Sequence, residues 1–239
     1  NLHRLGIFVS IVEMAEQVMT PLDYSMASLV HQHLKTKNVE FFLKDGVSSF
    51  MQEEGGLTVT LQSGRRLSSD LVILSIGVRP DSHLAKNAGL VIGPTGGIKV
   101  NSYLQTSHHD IYAVGDAIEY PNPITGIPQI TYLAGPANKQ GRICADNIVR
   151  GNQHKYHGAI NTAIAKVFDI TVASTGVSGR TLRKANIPYE SSIIHSGSHA
   201  GYYPGAIPMS IKIVFDPESG KLYGAQIVGY EGVDKRIDL

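Results

Sequence analysis

The stretch from Thr106 to Glu119, T-S-H-H-D-I-Y-A-V-G-D-A-I-E, constrains the fold of this chain more than any other. Its apolar and aromatic residues 111–114 predict a short buried strand that ends at Gly115-Asp116, and Ala117-Ile118 is expected to begin a helix. A glycine at the carboxyl end of a strand lets a ligand approach the backbone, and a neighbouring carboxylate can accept hydrogen bonds from sugar hydroxyl groups. The pattern therefore fits either a nucleotide site or a simple Gly-Asp turn.

Thr106, six further residues and then Ala113-Val114-Gly115-Asp116 resemble the second flavin-binding motif of the FAD-dependent pyridine nucleotide–disulfide oxidoreductases. In that family the aspartate holds the ribityl chain of FAD, and the glycine lies beside the pyrophosphate. The resemblance implies FAD as a cofactor, with Gly115 and Asp116 among its contacts.

The composition is that of a globular protein, with 42% hydrophobic residues, 17% charged residues and a net charge of +1 over 239 residues. It lacks the basic excess of a nucleic-acid-binding protein and any apolar run near the roughly 20 residues that span a bilayer. A single cysteine excludes an intrachain disulfide framework and fits a reducing compartment. We expect a cytoplasmic protein without nucleic-acid or membrane partners.

Residues 7–12 predict a parallel strand that ends at Glu13. The strand resembles the second strand of a dinucleotide-binding fold, in which an acidic residue binds the ribose hydroxyls and the glycine fingerprint lies about 20 residues upstream. We therefore expect the chain to begin inside a βαβ unit as an N-terminally truncated piece. Glu13 would favour NAD(H), because it repels a 2′-phosphate; alternatively, it is a solvated carboxylate.

A helix is predicted from Asp23, a candidate N-cap, to Lys37, with surface histidines at His31 and His33.

Residues 70–76 predict another buried strand, which ends at Gly77. In the resembled family a strand ending A-x-G-x-x-P contacts the nicotinamide nucleotide. Here Ser75 replaces the alanine, so the match rests on Gly77 and Pro80. The alternative is an ordinary strand followed by a proline turn.

A helix is predicted from Pro136 to Arg150. In the resembled family this helix points its N-terminus at the pyrimidine edge of the flavin, which implies backbone contacts from Leu133, Ala134 and Ala137; alternatively, it is an ordinary capped helix. Cys144 lies in its second or third turn among apolar neighbours and is interpreted as a buried structural thiol. The redox cysteine of the family is expected upstream.

From about residue 158 the sequence predicts antiparallel strands, which resemble the family's dimerisation domain and imply a homodimer. The loop S-H-A-G-Y-Y-P-G at 198–205, together with G-V-D-K-R at 232–236, resembles the branch of coenzyme A–disulfide reductases and NADH oxidases. In that branch a tyrosine of this region reaches the partner's active site, so Tyr202 and Tyr203 are the catalytic candidates. They could equally pack at the dimer interface.

The predicted fold is α/β followed by α+β: a partial NAD(P)-binding domain (1–101), the C-terminal segment of an FAD domain (102–157) and a partial dimerisation domain (158–239). The resemblance implies electron transfer from NAD(P)H through FAD to a cysteine-linked acceptor, namely a disulfide such as coenzyme A disulfide, peroxide or oxygen. The two glycine motifs and the redox cysteine do not occur in these 239 residues, and the C-terminus is also expected to be truncated. We expect the isolated chain to be inactive and to bind FAD weakly or not at all.

Two other functions remain open at this point: a non-catalytic dimerisation or binding module, and a flavin reductase without disulfide chemistry. The loop at 198–205 disfavours the second. The histidine pairs 108/109, 154/157 and 195/199 show no cysteine or acidic residue converging on them by spacing, so we expect no metal site.

Overall fold

The computed structural model describes residues 1–238. The first unit is a βαβ crossover, as predicted: β1 (Ser10–Glu13) and β2 (Glu40–Leu43) pair in parallel, and α1 (Tyr24–Thr36) joins them. Apolar residues spaced three and four apart, namely Met26, Ala27, Val30 and Leu34, bury one face of α1. The strand begins at Ser10 rather than at residue 7.

The prediction of a surface position for His31 is wrong. His31 lies on the buried face of α1, and its Nε2 atom accepts a hydrogen bond of 3.2 Å from the Val18 N–H. Burial, with a smaller contribution from Lys35, lowers the pKa of His31 below 6.5. The imidazole is therefore a neutral core group.

A three-stranded antiparallel sheet follows, and its strands are β3 (Val47–Glu53), β4 (Gly56–Leu61) and β5 (Arg66–Ser69). The predicted strand at 70–76 does not form. This segment belongs to no strand, and its apolar side chains are exposed, with Ile76 88% exposed. A strand needs a neighbour to bond its backbone, and no strand of residues 1–238 pairs with this run.

The predicted strand at 111–114 is also absent, since only one isolated bridge, between Gln105 and Tyr112, involves it. Gly115–Ala117 forms a 3₁₀ turn, and the chain then enters a strand, so the predicted helix at 117 is wrong. Ile118 and Glu119 are buried in this strand, β7 (Ile118–Pro121), where pairing outweighs helix formation. The elements of this part are α2 (His83–Asn87), β6 (Ile98–Lys99), β7 (Ile118–Pro121), β8 (Pro128–Gln129) and α3 (Ala134–Arg150).

The last unit is a five-stranded antiparallel sheet, as predicted. Its elements are β9 (Ala163–Val167), β10 (Ile170–Gly176), α4 (Gly179–Lys184), β11 (Glu190–Gly197), β12 (Pro208–Phe215), β13 (Leu222–Gly229) and α5 (Val233–Ile237). The strand order is β11-β12-β13-β10-β9. No helix among residues 1–238 has the length and hydropathy to cross a membrane.

One core joins the first and last units. Met26 and Val30 of α1 belong to the same buried cluster as Ile170 and Val172 of β10. Burying such apolar area stabilises the contact by about 25 cal/mol per Å². The βαβ unit is therefore packed directly on the antiparallel sheet.

Candidate functional site

A hydrogen bond to a side chain of α3 holds the Gly115-Asp116 turn in place. The Gly115 N–H donates to Gln140 Oε1 at 2.7 Å, and Gln140 is almost fully buried. Gly115 has φ +78°, and a Cβ placed on it would meet only the Ala137 Cβ, at 4.0 Å. The glycine is thus required by its left-handed conformation and leaves open space beside the backbone. The Asp116 carboxylate is exposed next to it.

The first turn of α3 offers free hydrogen-bond donors to the same region. Leu133 is its N-cap in extended conformation, without a side-chain cap bond. The N–H groups of Ala134 and Gly135 have no acceptor within residues 1–238. The Ala137 N–H already has an acceptor, the Leu133 carbonyl at 3.2 Å, and the contacts of Leu133, Ala134 and Ala137 with the flavin stay predictions. The helix begins two residues before the predicted Pro136.

These features fit the flavin nucleotide that the sequence motif predicts. An open glycine, an exposed carboxylate and an uncapped helix N-terminus suit a pyrophosphate, ribityl hydroxyls and a ring carbonyl, respectively. Sequence reasoning missed Gln140, although its spacing from Cys144 and Asn147 along α3 places all three on the buried face.

Cys144 is buried in α3, as predicted, and burial raises the pKa of its thiol. The thiolate is the reactive form of cysteine, so a raised pKa makes this thiol a poor nucleophile. It is the one cysteine of the sequence.

Glu13 and Gly77, the two residues predicted to contact the nicotinamide nucleotide, lie outside the Gly115 turn and α3. Glu13 ends β1, and its Oε1 atom accepts the Ala15 N–H at 2.8 Å. Gly77 has φ +87° and is exposed, and a Cβ added to it would meet no atom within 4 Å. Within residues 1–238, no hydrogen bond links either residue to the Gly115 turn. Their roles stay predictions.

The tyrosine loop, residues 198–207, connects β11 to β12. Tyr202 and Tyr203 are 85% and 62% exposed, with ring centroids 4.9 Å apart. The loop is closed by the Ser198 N–H, which donates to the Ile207 carbonyl at 2.8 Å. Arg236 donates to the Ser198 carbonyl from α5. The two strings that the resemblance had linked, at 198–205 and 232–236, are therefore in direct contact.

Asp23 is the N-cap of α1, as predicted, but its side chain makes no cap bond to that helix. Its carboxylate accepts from Arg180 N at 2.9 Å and from Gln226 Nε2 at 3.0 Å, and it lies 2.9 Å from Lys212 Nζ. Burial alone would raise the pKa of Asp23, but the bonds from Lys212 and Gln226 outweigh it and hold the pKa below 3.8. Nothing in the sequence pattern signals this junction.

An acidic residue does converge on one of the histidine pairs, contrary to the expectation from spacing. His108, His109 and Asp110 place one ligand atom each within 4.8 Å of one another on an exposed turn.

Comparison with known proteins matches both halves of the chain to family models. Residues 1–141 match "Pyridine nucleotide-disulphide oxidoreductase", and residues 162–238 match "Pyridine nucleotide-disulphide oxidoreductase, dimerisation domain". The chain is 36% identical over 234 residues to an NADH oxidase of Methanocaldococcus jannaschii and 30% identical over 239 residues to a coenzyme A disulfide reductase of Staphylococcus epidermidis. These matches cover 98% and 100% of the chain, but only 51% and 53% of the relatives.

Solved structures agree. Reduced Bacillus anthracis CoADR-RHD matches with a TM-score of 0.95 and 50% identity, over 99% of this chain and 42% of that one. An NAD-dependent persulfide reductase from A. fulgidus matches with a TM-score of 0.94 and 38% identity, over 99% and 44%. The water-forming NADH oxidase from Lactobacillus brevis, bound to NADH, matches with a TM-score of 0.93 and 26% identity, over 98% and 52%. The chain therefore belongs to the pyridine nucleotide–disulphide oxidoreductase family, whose members are FAD-dependent and use NAD(P)H.

Proposed function

We propose that this chain supplies the flavin-contacting turn, part of the nicotinamide nucleotide site and the dimer-forming sheet of a flavoprotein that passes electrons from NAD(P)H through FAD to a cysteine-linked acceptor. The observation that carries the proposal is the Gly115 turn held against α3 by Gln140. The chain spans about half the length of the curated relatives it matches, and we propose the complete reaction for the whole protein rather than for these 239 residues.

The residues of this chain bind and orient the cofactor. Asp116 accepts hydrogen bonds from ribityl hydroxyls, because its carboxylate is exposed beside an open glycine. The N–H groups of Ala134 and Gly135 donate to a carbonyl of the flavin ring, since they lack other acceptors within residues 1–238. When bound, FAD supplies the capacity to accept a hydride and to pass two electrons on.

The acceptor we favour is coenzyme A disulfide. The proposal rests on the 50% identity to Bacillus anthracis CoADR-RHD and on the exposed tyrosine pair in the loop at 198–207. Anchoring by Arg236 keeps the loop in place, and the Tyr202 or Tyr203 hydroxyl would donate to a reacting group in the partner subunit. Peroxide and oxygen are the competing acceptors. Oxygen is the acceptor implied by the relatives named NADH oxidase.

We propose NADH as the donor. Glu13 ends the first strand of a parallel βαβ unit, where a carboxylate accepts from ribose hydroxyls and repels a 2′-phosphate. One of its oxygen atoms is held by the Ala15 N–H, and this bond fixes the orientation of the carboxylate. The intact protein is proposed to be a cytoplasmic homodimer.

The 239-residue chain alone is proposed to be inactive. Its one thiol, Cys144, is buried, and burial raises its pKa, so we do not assign it as the redox cysteine. A second candidate function, a non-catalytic binding module, is favoured by one observation: the apolar side chains of Leu71, Ile73 and Ile76 are exposed along an unpaired segment. An apolar patch of this kind suits association with another polypeptide.

A chimera tests the main proposal. This chain replaces the matched 53% of the Staphylococcus epidermidis coenzyme A disulfide reductase, and the unaltered reductase serves as control. We expect a flavin-loaded chimera that oxidises NADH in preference to NADPH and does so faster with coenzyme A disulfide than with oxygen. A folded, flavin-loaded chimera that oxidises neither nucleotide with any acceptor would contradict the proposal and favour the binding module.

A further inference from the structure

The turn at residues 106–111 carries a compact group of metal-ligating side chains. His108, His109 and Asp110 are all exposed, and their ligand atoms lie within 4.8 Å of one another. Among residues 1–238 no other three histidine, cysteine or acidic side chains are grouped so closely. The turn lies within the stretch from Thr106 to Asp116 that resembles the flavin-binding motif, but its two histidines and Asp110 are not among the proposed flavin contacts.

Hydrogen bonds fix the backbone of this turn. Thr106 Oγ1 accepts the His108 N–H and donates to the His108 carbonyl, both at 3.2 Å. The Ile111 N–H donates to the same carbonyl at 3.0 Å, and the Thr106 N–H donates to the Ile111 carbonyl at 2.9 Å. Gln105 Nε2 donates to the His109 carbonyl at 3.0 Å. Ligand positions on a rigid backbone lose less conformational entropy on binding an ion.

The three side chains lie close together. The His108 and His109 rings are stacked, with centroids 5.1 Å apart and an interplanar angle of 22°. His109 Nε2 lies 3.1 Å from Asp110 Oδ2. One ligand atom from each side chain therefore lies within one small volume at the surface, and His108 Nδ1 also accepts the Asp110 N–H at 3.4 Å.

This donor set matches the preferences of zinc. Zn²⁺ binds imidazole nitrogen and carboxylate oxygen at about 2.0–2.2 Å, which places the ligand atoms of a tetrahedral site about 3.4 Å apart. The ligand atoms here lie within 4.8 Å of one another, and all three side chains are exposed and free to rotate toward a bound ion. We propose that His108, His109 and Asp110 bind one Zn²⁺ ion, with water in the remaining coordination position.

The other histidine pairs lack this arrangement. His195 Nδ1 hydrogen-bonds Ser210 Oγ at 2.7 Å. Both ring nitrogens of His199 are engaged, with Ser198 Oγ at 3.1 Å and with the Pro204 carbonyl at 3.3 Å. His154 and His157 are exposed but belong to no three-residue group within residues 1–238, which makes them a matched control.

Calorimetric titration of the chelator-treated 239-residue chain with Zn²⁺ at neutral pH tests the proposal. We expect one dominant site, an affinity at least tenfold lower in His108→Ala and in His109→Ala, and a smaller loss in Asp110→Asn. The double variant His154→Ala/His157→Ala should bind as the parent does. Circular dichroism of each variant confirms that the fold is retained.

A second measurement locates the ion independently of the variants. In amide NMR spectra, Zn²⁺ should shift the signals of residues 105–111 and leave those around 154–157 in place. The proposal is overturned if His108→Ala/His109→Ala binds Zn²⁺ as tightly as the parent, if the 154/157 control loses as much affinity, or if the shifts lie outside the turn.

Discussion

The Gly115 nitrogen lies 2.7 Å from Gln140 Oε1, and this hydrogen bond joins the glycine turn to α3. The bond sets the distance between the two elements that we propose contact the flavin: the exposed Asp116 carboxylate and the free N–H groups at the start of α3. Because Gln140 is buried and its partner is a backbone group, the arrangement is part of the core as well as of the site.

Replacing Gln140 with alanine should destabilise the chain by about 1–3 kcal/mol, because the Gly115 N–H loses its acceptor in a partly buried position. Urea unfolding of the purified chain measures the effect. Gln153→Ala is the matched control, since this glutamine is exposed and its side chain donates only to the nearby Arg150 carbonyl. Equal stability of the two variants would mean that the Gln140 bond contributes nothing.

Gly115→Ala should cost about 1–2 kcal/mol, because alanine is strained at φ +78° although its methyl group meets no atom closer than 4.0 Å. Gly141→Ala is the opposite control. It lies inside α3 with no neighbouring atom within 4 Å of the added Cβ, and it should stabilise the chain by about 1 kcal/mol. Thermal unfolding of both variants would show shifts of opposite sign; a shift of the same sign would refute the strain argument.

Asp23→Ala should destabilise the chain by about 3–5 kcal/mol, because it leaves the Lys212 ammonium buried without its partner at 2.9 Å. The pKa of Asp23 is lowered in the folded chain. Its contribution to the free energy of unfolding is therefore complete above pH 3.8 and is lost as the pH falls through the pKa of the folded state. Unfolding in urea as a function of pH should therefore show a weaker acid dependence in Asp23→Ala. The exposed Asp234→Ala provides the comparison, and an unchanged acid dependence in Asp23→Ala would contradict the assignment.

The buried His31 side chain should give the stability of the chain a second dependence on pH. Because burial lowers its pKa in the folded chain, the unfolded chain binds the proton more readily, and stability falls as the pH drops below 6.5. His31→Gln can still accept the Val18 N–H but does not titrate. The variant should lose less stability than the parent between neutral and mildly acidic pH, as measured by urea unfolding, whereas His154→Gln should behave as the parent. Parallel curves for His31→Gln and the parent would contradict a buried neutral imidazole.

The sequence predicted the local units well where a strand finds its partner nearby in the chain. The βαβ crossover and the antiparallel sheet were correct because alternating or periodic apolar residues bury one face against neighbours that the chain itself supplies. The runs at 70–76 and 111–114 have the same apolar signal, but no strand of residues 1–238 pairs with them in a ladder, so burial was wrongly predicted. Apolar periodicity indicates what a segment can bury, and pairing decides whether it does.

The candidate site was predicted in part. Gly115 and Asp116 came from a specific motif, whereas Gln140 was missed, although its spacing on α3 carried the signal. His31 follows the buried Ala27 by four residues, and that spacing could have corrected its predicted exposure. The contact between Asp23 and Lys212 joins residues 189 positions apart, and no local pattern predicts it.

The flavin content of the chimera with the Staphylococcus epidermidis reductase tests the central claim most directly. We expect about one FAD per subunit in the chimera, a loss of at least tenfold in FAD affinity for Asp116→Ala, and no loss for the exposed control Asp234→Ala. Flavin absorbance per protein after gel filtration and the equilibrium constant for rebinding give both values. Full retention of FAD by a folded Asp116→Ala chimera would contradict the assignment of this turn to the flavin site.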